Sequence, residues 1–187
     1  MTTMNIDAFE GLVGPHLDAL HRFACKRTMD PTGAEDLVQE TLLRAWDRIG
    51  SLRDQGRIRP WLYTILVNLF RERSRKANRR AQLLPMSHPD APLDELAMST
   101  AGSPLDEVIR RSAAEAVHAA LARTPERYAM AVELRDLEGL SFKEIARILD
   151  IPEGTAMSRV GRGRRIMADL LAEWRDEASR PREGRHG

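Results

Sequence analysis

The side chains with the clearest chemical role are arginines near the C-terminus, which follow the pattern of a helix-turn-helix. Ser141 and Glu144 have the S-x-x-E spacing of a capping box. Apolar residues then recur at helical spacing up to Leu149, and Pro152 suits the first position of a second helix. That second helix carries Arg159, Arg162, Arg164 and Arg165. Because guanidinium groups bond phosphates and base edges, this pattern predicts DNA binding.

No comparable arrangement points to catalysis. The five histidines are scattered, and there is no glycine-rich phosphate loop. His21 and Cys25 have an i, i+4 spacing that suits two metal ligands, but no third or fourth ligand lies near them in sequence. We therefore expect no enzyme activity, no metal and no cofactor.

Composition and charge narrow the remaining possibilities. The 187 residues carry a net charge of only +1, which excludes a uniformly basic nucleic-acid-binding protein. Charge is instead segregated into a basic segment from Arg53 to Arg80 and an acidic one from Ala81 to Glu107. The chain has one cysteine, no apolar run of membrane-spanning length and no N-terminal secretory pattern. These features predict a cytoplasmic protein without membrane insertion.

Hydrophobic periodicity predicts helices along the chain and no strands. The predicted helices cover residues 6–29 (with a kink or break at Gly14-Pro15), 33–49, a helix opening at Pro60, 105–122, 125–138, 141–149 and 153–174. Thr124 is predicted to cap the helix after it, and residues 30–33 to form a turn. Residues 81–104 are rich in proline and small polar residues, which favours a flexible linker. We predict an all-α fold of two small helical domains, 1–80 and 105–174, with a disordered tail at 175–187.

Three stretches of the chain resemble motifs of one family. Residues 34–46, AEDLVQETLLRAW, resemble the region 2 signature of bacterial sigma factors. Residues 60–68, PWLYTILVN, resemble the promoter-melting helix that follows it, and residues 140–165 are similar to region 4. A short linker without a third domain is the arrangement of the extracytoplasmic-function (ECF) group. The resemblance covers residues 6–80 and 105–174.

This resemblance implies a function, partners and binding surfaces. It implies a sigma factor that binds core RNA polymerase through the β′ clamp helices and the β subunit, and that starts transcription at promoter DNA with −10 and −35 elements. It also implies an anti-sigma partner. The residues to which it transfers the clamp-binding role are Asp36, Gln39, Glu40 and Leu43. An acidic stripe with one large apolar residue suits protein docking, although an ordinary solvated helix face is the alternative.

Promoter melting requires cations for phosphates and an aromatic or amide group for an extruded base. Trp61 and Asn68 lie two helical turns apart near one face. A core position is an equally good interpretation of Trp61, whereas the polar Asn68 between Val67 and Leu69 favours a functional role. The basic residues assigned to −10 DNA are Arg53, Arg57, Arg59, Arg71, Arg75 and Lys76.

The −35 element is assigned to the helix-turn-helix. The N-terminal turns of a recognition helix contact base edges, and nearby cations contact phosphates. The assigned residues are Lys143, Arg147, Thr155, Met157, Ser158, Arg159 and Arg162. Two residues depart from the family pattern, Met157 in place of a basic residue and Gly161 in place of a larger one, so we expect a different or weaker −35 contact. Gly161 and Gly163 are each expected to cost the helix about 1 kcal/mol relative to alanine.

Two other functions fit parts of the pattern. A two-domain helix-turn-helix regulator would bind duplex DNA without polymerase, but it has no use for the Trp61 and Asn68 pair. A polymerase-binding adaptor that no longer recognises promoters would tolerate changes at Asn68 and Arg162. Under this interpretation, Met157 and Gly161 reflect the loss of DNA recognition.

Overall fold

The computed structural model describes residues 5–81 and 104–179, and every regular element in these ranges is helical. The helices are α1 (Ile6–Val13), α2 (Leu17–Thr28), α3 (Pro31–Arg48), α4 (Ile58–Ala81), α5 (Pro104–Arg123), α6 (Glu126–Val132), α7 (Phe142–Leu149) and α8 (Glu153–Ser179). The all-α prediction is confirmed for these ranges. Most of the predicted linker, and the tail beyond Ser179, lie outside the described residues. Helix α8 continues five residues past its predicted end at 174.

The helices form two compact units. Helices α1 to α4 and α7 belong to the first unit, and α5, α6 and α8 belong to the second. The predicted domain division at the linker would instead place α7 with α8, and it stays a prediction.

The predicted break near residue 14 is confirmed. Residues Gly14–His16 form a short 3₁₀ turn between α1 and α2. Pro15 lacks the N–H that would continue the α-helical hydrogen bonds, which accounts for the interruption of the α-helix there.

Helix α3 begins earlier than predicted because the expected turn at residues 30–33 is a helix cap. The Asp30 carboxylate accepts the backbone N–H groups of Thr32 (3.2 Å) and Gly33 (3.0 Å). Pro31 takes the first helical position, where its missing N–H has no cost. A Cβ atom at Gly33 would lie 2.7 Å from the Asp30 carboxylate, so a larger residue there would require the Asp30 side chain to shift.

The core of the first unit lies between α2, α3 and α4. Leu20, Leu37 and Leu66 are fully buried in it, and Phe23 meets Tyr63 edge to face at 5.3 Å between ring centroids. Helix α4 is buried on several sides because it contacts α2, α3 and α7. Trp46, predicted to be packed inside, is instead 38% exposed, with its ring edge to face with Phe9.

Helix α7 packs against α4 within the first unit. The predicted capping box is confirmed: the Ser141 hydroxyl accepts the Glu144 N–H (3.3 Å), and the Glu144 carboxylate accepts the Ser141 N–H (2.8 Å). At the other end, the Arg71 guanidinium on α4 donates to the Leu149 carbonyl at 3.0 Å. A basic group at a helix C-terminus satisfies a carbonyl that has no partner within the helix.

The second unit buries its core between α5, α6 and α8. The buried members include Leu121, Val132 and Met167. Thr124 does not cap α6 as predicted, because its hydroxyl turns back to donate to the Ala120 carbonyl at 2.7 Å. After α6 the chain continues through a π-helical stretch, Glu133–Leu137.

Candidate functional surfaces

The first candidate surface is the outward face of α3. Asp36, Gln39 and Leu43 are exposed, and Leu43 leaves 67% of its surface open. The expected stripe opposite the core is therefore present. Glu40 differs from its neighbours because it is only half-exposed and holds cations of this chain.

A network of ion pairs joins α3 to α4 around Glu40. One carboxylate oxygen lies 2.9 Å from Arg44, and the other lies 2.8 Å from Arg73 on α4. The same Arg73 guanidinium donates to the Asp36 carbonyl (3.1 Å) and the Gly33 carbonyl (3.4 Å). Sequence reasoning missed Arg73, because no local spacing connects it with partners 33 to 40 residues away.

The network continues along α4 through Glu72. Its carboxylate lies 2.9 Å from the Lys76 amine and 3.5 Å from Arg44. The hydrogen bond from Lys76, followed by its charge and that of Arg44, holds the pKa of Glu72 below its usual value. Lys76, assigned to DNA from the sequence, therefore has an acidic partner in this structure.

The second candidate surface comprises the loop before α4 and the exposed parts of α4. Arg53, Arg57, Asn68 and Arg75 are exposed, whereas Arg59, Trp61 and Arg71 are half-buried. Asp54 shapes the loop by accepting the Gly56 N–H at 2.9 Å and pairing with Arg57 at 3.3 Å.

Arg59 and Arg71 also have contacts within the first unit. The Arg59 guanidinium lies 6.0 Å from the Tyr63 ring centroid. Burial, with a smaller effect of the Arg59 charge, lowers the pKa of His16. The Arg71 guanidinium, as described above, holds the end of α7.

The residues assigned to −35 DNA fall on both units. Lys143 and Arg147 are exposed on α7 in the first unit. On α8, Met157 is 52% exposed, Ser158 and Arg162 are exposed, and Thr155 and Arg159 are half-buried. The predicted inward stripe of α8 is confirmed at Ala156, Val160 and Met167, which are buried.

Side chains of the second unit hold two arginines of α8. Arg162 bonds to Tyr128 on α6, and this bond, with the nearby Arg127 charge, lowers the pKa of Tyr128. Arg164 forms an ion pair with Asp136, with Nε 2.9 Å from the carboxylate. Both guanidinium groups therefore have an interaction partner within the second unit.

Gly161 and Gly163 of α8 have different environments, which corrects the equal cost expected for them. A methyl group at Gly163 would lie 2.5 Å from Val132 and 3.0 Å from the Tyr128 carbonyl, so α8 approaches α6 closely there. At Gly161 nothing lies within 4 Å of the same position. Gly163 is therefore required for packing, while Gly161 leaves open space one turn after Met157.

The described residues contain no group of three or more histidine, cysteine, aspartate or glutamate side chains placed to hold a metal ion. The Cys25 sulfur lies 3.7 Å from His21 Nδ1. Burial, and to a smaller extent the charge of Glu35, raises the pKa of the thiol. No helix in the described part of the chain is long and apolar enough to cross a membrane.

Comparison with known proteins identifies two regions of the sequence. Residues 12–80 match the family described as Sigma-70 region 2, and residues 114–167 match the family Sigma-70, region 4. The ECF RNA polymerase sigma factor SigM of Mycobacterium tuberculosis is 34% identical over 164 residues, covering 88% of this chain and 77% of SigM. SigE of Mycolicibacterium smegmatis is 32% identical over 92% of this chain, which spans only 65% of that relative.

Solved structures with a similar fold include a sigma factor. The sigma factor RpoE from Bartonella quintana, in complex with the anti-sigma factor NepR, superposes with a TM-score of 0.75 at 28% identity, over 89% of this chain and 98% of RpoE. CnrH, in complex with the cytosolic domain of CnrY, superposes with a TM-score of 0.61 at 25% identity, over 90% of each chain.

Proposed function

Because this chain belongs to the sigma-70 family, and within it to the ECF sigma factors, we propose that it binds core RNA polymerase and directs initiation at promoters with −10 and −35 elements. The observation that carries the proposal is the exposed stripe of α3, where Asp36, Gln39 and Leu43 face solvent within the matched region 2. A solvent-facing Leu43 surrounded by acidic and amide groups suits a protein partner.

The polymerase contact is assigned to the β′ clamp helices. Leu43 would supply the buried apolar contact, and Asp36 and Gln39 would form polar contacts around it. A second polymerase contact, with the β subunit, is part of the same proposal. The protein would act in the cytoplasm, where transcription takes place.

The DNA contacts are assigned to both family regions. Asn68 is the exposed amide of an otherwise largely buried part of α4, and Arg53, Arg57 and Arg75 lie exposed in the loop before α4 and on α4 itself. An exposed amide on the same helix as an exposed arginine suits an unpaired base and its phosphates in the −10 element. The first turns of α8, with Met157, Ser158 and Arg162, would contact the −35 element.

An anti-sigma protein is the proposed regulator. The RpoE structure contains the anti-sigma factor NepR. A comparable partner would keep this chain from polymerase until a signal releases it.

The first experiment is transcription by bacterial core RNA polymerase from a pool of randomised promoters, with and without this protein. We expect discrete start sites that share a two-part upstream element. Binding to duplex DNA without stimulated transcription would favour a stand-alone regulator. Polymerase binding without a shared element would favour an adaptor that no longer recognises promoters.

A matched pair of variants tests base capture. Asn68→Ala is expected to reduce promoter opening by about tenfold, because a good base contact contributes about 1–3 kcal/mol. Asn78→Ala changes an exposed asparagine near the end of the same helix that is not among the residues assigned to the −10 element, and it is expected to leave opening unchanged. The readout is permanganate reactivity of unpaired thymines at a selected promoter. Equal effects of the two variants would contradict the assignment of Asn68.

A further inference from the structure

Arg73 on α4 makes polar contacts with residues of α3 that lie 33 to 40 positions away in sequence. Its guanidinium on α4 reaches the Gly33 carbonyl, the Asp36 carbonyl and the Glu40 carboxylate. These acceptors lie on successive turns of α3, so a single side chain spans two turns of the neighbouring helix. The contact restricts both rotation of α3 about its axis and sliding along α4.

This contact lies beside the face assigned to polymerase. The Asp36 carbonyl that accepts from Arg73 belongs to a residue whose side chain is exposed on that face. Gln39 precedes Glu40, and Leu43 lies about one turn beyond it. A rotation of α3 by a few tens of degrees would therefore move all three exposed side chains together.

The geometry also changes the role expected of Glu40. Its two carboxylate oxygens are engaged by Arg44 and Arg73, and its side chain is only 35% exposed. An oxygen already engaged by a guanidinium gains less from a new cation than a solvated one does. Glu40 is thus better placed to hold Arg73 than to contact a partner protein.

We propose that Arg73 is a positioning residue for the polymerase-binding face of α3, and that Glu40 contributes to binding by anchoring Arg73. This inference rests on the proposed function, since it concerns the same surface. A planar guanidinium with several donors can hold three acceptors at once, which a lysine amine in the same place cannot do with the same geometry. Arg73→Lys keeps the charge and most of the side-chain length, but it gives up this fixed geometry.

The test is a double-mutant cycle on the affinity of the full chain for bacterial core RNA polymerase. We expect Arg73→Ala and Glu40→Ala each to weaken binding about tenfold. Arg73→Lys is expected to bind with an affinity between those of the unmodified chain and Arg73→Ala. The variant that carries both Arg73→Ala and Glu40→Ala is expected to lose about tenfold in affinity, as each single variant does, because both changes release the same contact. Multiplied effects, near a hundredfold, would overturn the proposal and make Glu40 a direct contact.

Two further measurements separate positioning from folding and from the proposed function. Affinities are measured well below the melting temperature of every variant, and Arg79→Ala is the matched control on an exposed arginine of the same helix. A lower melting temperature with unchanged affinity would show a purely structural role and overturn the proposal. If the unmodified chain does not bind polymerase, the proposed function fails. If it binds and Arg73→Ala binds equally well, only this inference fails.

Discussion

The faces of α3 and α8 hold their charged side chains in different ways. On α3 and α4, the charges bind each other in a continuous series from Arg73 through Glu40, Arg44 and Glu72 to Lys76. On α8, Met157 and the open space beside Gly161 lie near the N-terminus, and neighbouring elements hold the arginines further along.

This difference predicts how each surface responds to substitution. In a connected network, removal of one charge leaves a partly buried partner and changes the position of the next side chain. Met157 is exposed and nothing lies within 4 Å of a side chain at Gly161, so a substitution at either position disturbs no neighbouring side chain. The effects on α8 should be local, except where α8 touches α6.

The largest expected effect concerns that contact between α6 and α8. Gly163→Ala should lower the free energy of unfolding by about 1–3 kcal/mol, because the new methyl group meets Val132 and the Tyr128 carbonyl. Gly161→Ala should instead raise it by up to about 1 kcal/mol, since alanine favours the helix and nothing obstructs it. Urea unfolding followed by circular dichroism measures both. Equal stabilisation by the two substitutions would contradict the close helix contact.

The next effect tests the apolar part of the α3 surface. Leu43→Ala should weaken binding to core polymerase by about tenfold, or roughly 1.4 kcal/mol, through loss of apolar burial in the complex. Its melting temperature should stay the same, because the side chain is 67% exposed in the free protein.

Leu17→Ala is the matched control, since Leu17 is a partly exposed leucine of α2 outside the assigned surface. A fluorescence-anisotropy titration with labelled protein gives both affinities. If Leu17→Ala weakens binding as much as Leu43→Ala does, the polymerase-binding face has been assigned to the wrong helix.

The smallest effect concerns specificity at α8. An exposed methionine favours the C5-methyl group of thymine, whereas arginine favours guanine O6 and N7. Met157→Arg should therefore change one position of the selected −35 element from thymine toward guanine, with a preference of about 1 kcal/mol or more. Selection from the randomised promoter pool measures the change.

A matched substitution at a second methionine controls for added positive charge. Met29 is 53% exposed, nearly the same as Met157, and it lies at the end of α2. Met29→Arg is expected to leave the selected element unchanged. An identical shift with both variants would mean that charge alone, and not a base contact, caused it.

Several local features could be predicted from the sequence because their causes are local. The Ser141 and Glu144 capping box joins residues three positions apart, and the buried stripe of α8 follows helical periodicity. Predictions of individual caps and turns were wrong where a side chain could form either of two local hydrogen bonds. Asp30 caps a helix where a turn was expected, and Thr124 bonds back to Ala120 where a cap was expected.

The sequence alone determined the helical class, most helix positions and the family, because periodicity, caps and motifs depend on residues close together in the chain. Only the tertiary structure decided the partners of Arg73, the exposure of Trp46 and the need for glycine at position 163. Each of these depends on the distance between helices far apart in sequence. That distance is set by packing of the whole core, which no short stretch of residues specifies.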